Sequence, residues 1–192
     1  FLLCSLMIAV LSAQEPFSKH MLEGKPYSVQ ENEAAVKKFQ GLRVTDVADG
    51  LQVVGLQDVT VMDAAIGPMW KDEEGFSHRI YGVAVTMRLV PAQERGPNFG
   101  SRSEFDEWKK RWTLKWLPKG FAAQIKPNTI LVIDASRTKD VGFCGSNNAF
   151  NWLSQGLRGI VIDGGCRDTD EMVLERIPVY QRDSTRGINQ GR

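Results

Sequence analysis

Hydrophobic and polar positions follow helical and extended periods along the chain, and their alternation becomes regular from Ile130. Downstream of it, short β-branched apolar runs are separated by stretches with helical spacing. Ile130–Asp134 reads as a strand and Ser146–Gln155 as a helix capped by Ser146 and stopped by Gly156. Ile160–Asp163 is the next strand, Thr169–Arg176 a short helix and Pro178–Tyr180 a further strand. Strands alternating with helices predict a parallel sheet. Upstream the pattern is looser. Glu31–Phe39 reads as a helix. Thr45 reads as the N-cap of a second helix, with Val47, Leu51 and Val54 on one face and Asp46 and Asp49 near its positive end. Val59–Met62 and Ile66–Trp70 read as short strands, and Arg79–Val90 as the longest strand. In it Gly82 and Ala84 form a small face, suited to close packing, opposite Val83, Val85, Met87 and Leu89. After the Gly- and Pro-rich loop Pro91–Arg102, Ser103 reads as the cap of a helix whose Phe105, Trp108, Trp112 and Trp116 form one stripe.

The N-terminus departs from both periods. Phe1–Ala13 is uncharged, apolar through Val10 and ends Leu-Ser-Ala. This is the pattern of the hydrophobic core and cleavage region of a secretory signal peptide, and it is too short to span a membrane. Export to the periplasm or beyond follows as an expectation. Gln14–Gln30 reads as a polar arm, and residues 31–192 as one domain. With 192 residues and a net charge of +1, the chain is long enough for a sizeable core and lacks the basic excess of a nucleic-acid-binding surface. Lys109, Lys110, Arg111 and Lys115 lie among the aromatics of the Trp stripe. Burial of that stripe, in the core or against a neighbouring subunit, is favoured over a role in binding single strands. Removal of the signal would leave Cys144 and Cys166. In an oxidising compartment they can pair; free thiols beside a pocket are the alternative.

The chemistry concentrates in Gly159–Glu171, GIVIDGGCRDTDE. Asp163 closes the buried strand, and Gly164–Gly165 permit a tight turn. Arg167 and Asp168 follow, and Asp168-Thr-Asp-Glu171 has the form of a capping box. Ligands of open α/β sheets bind beyond the carboxyl ends of the strands. There an Arg can grip a carboxylate through paired hydrogen bonds, and an Asp can hold a hard divalent cation that keeps most of its waters. The alternative is an ion pair at a helix start with Asp168 merely as N-cap. Asp134 and Asp163 read as turn caps rather than a metal pair, His78 as a loop or strand-edge residue, and His20 as isolated.

Taken together, TDVADGL, YGVAVTM, IKPNTILVID, Gly145, GLRGIVIDGGCRDTDE and IPVY resemble the RraA-like family, which includes class II 4-hydroxy-4-methyl-2-oxoglutarate aldolases. The resemblance runs from Thr45 to Arg192, and the signature residues are Gly145, Arg167, Asp168 and Glu171. It implies a three-layer swivelling β/β/α fold with a parallel central sheet, assembled as a homotrimer or homohexamer with sites between subunits. The family's C-terminal strands and helix would lie beyond the given sequence. It implies a metal-dependent lyase that cleaves or decarboxylates a small pyruvate-type oxo-acid with Mg2+ or Mn2+. Asp168 would hold the metal and Arg167 the substrate, Glu171 would support them, and backbone amides around Phe143, Cys144, Gly145 and Ser146 would grip the carboxylate. Ser146 and Asn147 stand where relatives often carry an acid. Two other readings follow from the same resemblance: a regulator that binds an RNA-decay ribonuclease, and an oxo-acid-binding protein without turnover.

Overall fold

The computed structural model describes residues 27–57, 61–92, 94–117 and 121–190. The expected signal segment Phe1–Ala13, His20 and the arm as far as residue 26 lie outside the described residues. The rest of the arm is already the start of a helix, α1 (Val29–Lys37). The Glu31 amide donates to Ser28 Oγ at 3.2 Å, and the Ser28 amide donates to the Glu31 carboxylate at 2.7 Å, so each end of a capping box is satisfied.

Helix α2 (Val44–Val53) starts ahead of the expected cap, with Arg43 rather than Thr45 in the N-cap position. The Asp46 carboxylate decides this: it accepts from the Arg43 amide at 2.7 Å and from the Arg43 guanidinium at 2.6 Å. Of the two short strands expected next, one shrinks to β1 (Gly67–Pro68). The other is not formed at Val61 and Met62, which are exposed and pair with no strand; Val59 and Thr60 lie outside the described residues. Strand β2 (Val83–Arg88) is shorter than expected. Val85 is buried as its face predicts, but Ala84 on the small face is exposed.

Helix α3 (Arg102–Trp116) is capped two residues earlier than expected, by Ser101, whose Oγ accepts from the Glu104 amide at 3.2 Å. Trp108 and Trp112 are buried as the stripe predicts. What covers them is the preceding loop: Phe99 packs on Trp108 at 5.2 Å between ring centroids, and Trp112 Nε1 donates to the Glu94 carbonyl at 3.3 Å.

The remaining elements are β3 (Thr129–Asp134), β4 (Gly142–Cys144), α4 (Ser146–Ser154), β5 (Leu157–Cys166), α5 (Thr169–Leu174) and β6 (Val179–Ser184). The sheet runs β1-β6-β5-β3-β2, with β4 also paired to β5. Every pairing is parallel except β1 with β6. The expected mixed α/β fold with a mostly parallel sheet is therefore observed. Helix α4 begins at Ser146, with Gly145 as N-cap, so Ser146 is inside the helix rather than its cap. The main core joins Leu131, Ile133, Ile160 and Ile162 of the sheet to Ala149 and Trp152 of α4 and Met172 of α5.

Candidate functional site

Strand β5 does not end at Asp163. It runs on through Gly164 and Gly165 to Cys166, ten residues in all, so the expected glycine turn is not formed. The reason is a change of neighbour. β3 pairs with β5 as far as Asp163; β4 then takes over, with Gly142 opposite Gly165 and Cys144 opposite Cys166. Where the three segments converge there is no room for side chains. A Cβ on Gly164 would lie 2.7 Å from the Ala135 methyl, and one on Gly165 would collide with Thr185.

The end of β5 is fixed on every side. The Cys166 amide donates to Gln181 Oε1 at 3.0 Å, the Cys166 carbonyl accepts from the Thr185 amide at 2.8 Å, and the Arg167 amide donates to the Cys144 carbonyl at 2.9 Å. Gln181 is buried and its Nε2 donates to Ser184 Oγ at 3.1 Å. Neither Gln181 nor Thr185 stands out in the sequence as a site residue, because their contribution is to hold backbone.

Beyond this clamp, Asp168 occupies the N-cap position of α5 in the left-handed region, φ 57° and ψ 38°. Its side chain accepts no capping hydrogen bond, so the expected capping box with Glu171 is not formed. The left-handed turn aims the carboxylate away from the amides of α5 and over the backbone of Gly145. Oδ2 lies 2.5 Å from where a Cβ on Gly145 would sit. Oδ1 accepts from Arg167 Nε at 3.2 Å, and both side chains are little more than one-third exposed. Gly142 supplies the floor under Arg167: a Cβ there would fall 2.8 Å from Arg167 Cβ and 2.9 Å from Cγ. This glycine was not legible as a site residue; a lone Gly entering a short strand carries no signal of what crosses it.

Arg167, Asp168 and Gly145 are thus brought together, and Gly145 places them at the N-terminus of α4. The first amides of a helix have no intrahelical partner and carry its positive partial charge. Ser146 is buried in that first turn; Phe143 and Cys144 belong to β4, one step back. Glu171 is exposed in the first turn of α5 and makes no hydrogen bond to Arg167 or Asp168. Cys144 and Cys166 are buried free thiols, and the Cys166 thiol together with burial pushes Cys144 well above its ordinary pKa.

Several other charges nearby are already paired. Arg182 reaches Asp163 at 2.6 Å and Asp63 at 3.0 Å, and these partners raise its pKa. Arg137 approaches Asp63 at 3.4 Å and Asp163 at 3.8 Å. Asp134 accepts from the Ser136 amide at 2.9 Å, a turn cap as expected, and pairs with Arg88 at 3.2 Å. His78 lies in a loop, its Nδ1 accepting from the Asp72 amide at 3.1 Å.

Among the described residues no group of three His, Cys, Asp or Glu side chains could enclose a metal ion. Beside Gly145 and Arg167, Asp168 offers an exposed carboxylate that caps no helix. That donor set fits a hard cation such as magnesium, which binds through one or two carboxylates and keeps waters or substrate oxygens for the rest. Among the described residues no helix is long and apolar enough to cross a membrane.

A protein-family model described as RraA-like, Aldolase/RraA, matches residues 44–191. No curated protein matches the chain significantly. Solved structures do. An uncharacterized protein from Pseudomonas syringae pv. tomato str. DC3000 shares 19% identity with a TM-score of 0.58, over 90% of this chain and 64% of that one. A structure described among novel cellulases from microbes associated with the gut ecosystem shares 18% at 0.61, over 89% of this chain and 67% of that one. Streptomyces coelicolor RraAS2, described as an unusual member of the RNase ES inhibitor RraA protein family, shares 16% at 0.59, over 80% and 65%. The chain therefore spans about two thirds of the length of these solved chains, and at such identities the likeness is one of fold.

Proposed function

Because the chain belongs to the RraA-like family, which takes in aldolases and RraA regulators, we propose that it is a divalent-metal-dependent lyase that forms the enolate of pyruvate from a small oxo-acid. The observation that carries this reading is the left-handed Asp168, whose carboxylate is turned from helix capping to face Gly145 beside Arg167. A magnesium or manganese ion at Asp168 would supply Lewis-acid polarisation of the substrate's 2-oxo group.

The chain's own groups account for the rest. Arg167 spends Nε on Asp168 and keeps its terminal nitrogens for the substrate's carboxylate and 2-oxo oxygen. The amides at the N-terminus of α4 face the same space and favour the anionic end of the substrate. In decarboxylation the bond from C3 to the departing carboxylate breaks, carbon dioxide leaves, and the electron pair moves into the C2–C3 enolate, which then takes a proton at C3. Retro-aldol cleavage reaches the same enolate after loss of the 4-hydroxyl proton. In both, charge grows on the 2-oxo oxygen, where a preorganised donor such as Arg167 contributes on the order of 3 kcal/mol. No Schiff-base lysine is required.

Residues 1–13 would export the protein, and a trimer or hexamer would cover exposed apolar side chains such as Val44, Val53 and Val54 of the α2 region. The test is pyruvate release by the full-length protein from oxaloacetate and from 4-hydroxy-4-methyl-2-oxoglutarate, with and without magnesium. Because oxaloacetate decarboxylates spontaneously, the Asp168→Asn protein is the control. Magnesium-dependent release at least ~100-fold above that control, and lost in Arg167→Ala, is the expected result. Wild-type rates equal to those of the control on both substrates would overturn the lyase reading and direct attention to binding of a ribonuclease or of an oxo-acid without turnover.

A further inference from the structure

Cys144 and Cys166 are register partners on the adjacent parallel strands β4 and β5. Neighbouring strands lie about 4.8 Å apart, inside the Cα separation of about 4.4–6.8 Å that a disulfide bridges. Both side chains are fully buried. Each cysteine directly precedes a residue of the candidate site, Gly145 and Arg167, so the pair joins the two segments that the site needs held together.

Other uses of two thiols fit poorly here. Two sulfurs with no third His, Cys, Asp or Glu among the described residues do not make a metal site. A nucleophilic cysteine needs exposure and a lowered pKa, whereas Cys144 is buried and its pKa is raised. What remains is reaction of each sulfur with the other.

We propose that Cys144 and Cys166 close a disulfide as the chain folds in an oxidising compartment, stapling β4 to β5 at the base of the candidate site. This rests on the export reading of residues 1–13 and not on the lyase reading. The oxidant is a small-molecule disulfide of the glutathione type. One cysteine thiolate attacks it and expels a thiol, forming a mixed disulfide. The second cysteine attacks the protein sulfur of that bond and expels the second thiol. Two cysteine S–H bonds are lost, one S–S bond forms, and the two protons end on the two released thiols. The exchange belongs to folding, before β4 docks; afterwards burial keeps reductant from the bond.

Full-length protein folded in a buffer of reduced and oxidised glutathione, then alkylated and digested with trypsin without reductant, reads this out. Cleavage after Lys139, Arg158 and Arg167 isolates Cys144 on peptide 140–158 and Cys166 on peptide 159–167. The expected product is these two peptides joined, separating on reduction. Alkylated free cysteines on both, or either one joined to Cys4 or to another chain, would overturn the proposal. The staple is tested separately by melting: reductant added during unfolding lowers the melting temperature by ~6–12 °C, the effect expected for closing a loop of this size. Cys166→Ala shows no dependence on reductant. Identical melting of the oxidised and reduced wild type would overturn the stapling role even with the bond present.

Discussion

A non-glycine residue at φ near +57° costs on the order of 1 kcal/mol for most side chains, and Asp and Asn tolerate it best. Asp168 has that conformation where it also presents the site's carboxylate, which makes Asn rather than Ala the informative replacement there. The glycine beneath it is the sharper probe. In Gly145→Ala the new methyl would stand 2.5 Å from Asp168 Oδ2, at a position whose own backbone accepts any residue. Displacing the carboxylate by about 1 Å is expected to lower pyruvate release ~100-fold, while far-ultraviolet circular dichroism stays that of the native fold; steady-state kinetics and spectra on one preparation check this. Arg167 and Asp168 were legible in the sequence because polar residues directly after a buried β-branched run fall at a strand end; Gly145 entered only through the family resemblance. The backbone of Asp168 was not legible. Asp-Thr-Asp-Glu reads as a capping box, and only the crowding at Gly142 and Gly145 shows where the side chains go instead.

At the level of elements, periodicity located helices and parallel strands, and local capping contacts moved the helix starts. Arg43 displaced Thr45 as the start of α2 because Asp46 binds it twice; Ser101 displaced Ser103 because its hydroxyl reaches the Glu104 amide. Replacing that cap in Ser101→Ala is expected to cost about 1 kcal/mol and to lower the melting temperature by about 2–4 °C, whereas Ser103→Ala leaves it unchanged; thermal unfolding of the pair decides between the two caps. The Trp stripe of α3 was readable from spacing alone. Its cover, the 94–99 loop folded back on Trp108 and Trp112, was not, since a Gly- and Pro-rich segment has no period to read. The continuation of β5 past Asp163 was hidden for a related reason: glycines mark turns and crowded strands alike, and the sequence does not show that β4 arrives to pair with them.

Across the molecule, several surface carboxylates share one electrostatic bias. Asp46 is held below its ordinary pKa by Arg43, Asp63 by the Ala65 amide and then Arg182, Asp72 by the Ser77 hydroxyl and the Gly75 amide, and Glu94 by Lys115 and then Trp116. A carboxylate whose folded pKa is depressed contributes stability that is present above the unfolded value, near 4, and is lost as pH falls through the folded value. Melting temperature is therefore expected to be flat from pH 7 to about pH 5 and to fall below about pH 4; scanning calorimetry across that range checks it, and a maximum near pH 3 would contradict these contacts. The α/β class was legible at this scale, while the clamp on β5 was not, since it joins residues far apart in sequence. That clamp sets when the site can exist. Strand β6 supplies Gln181 and its exit supplies Thr185, and these hold the peptide that carries Arg167. A chain still emerging from the ribosome can assemble β2, β3 and β5 and yet present no site. Ligand can engage only a sheet that already holds β6, so each bound molecule draws the folding equilibrium of these strands toward the native side.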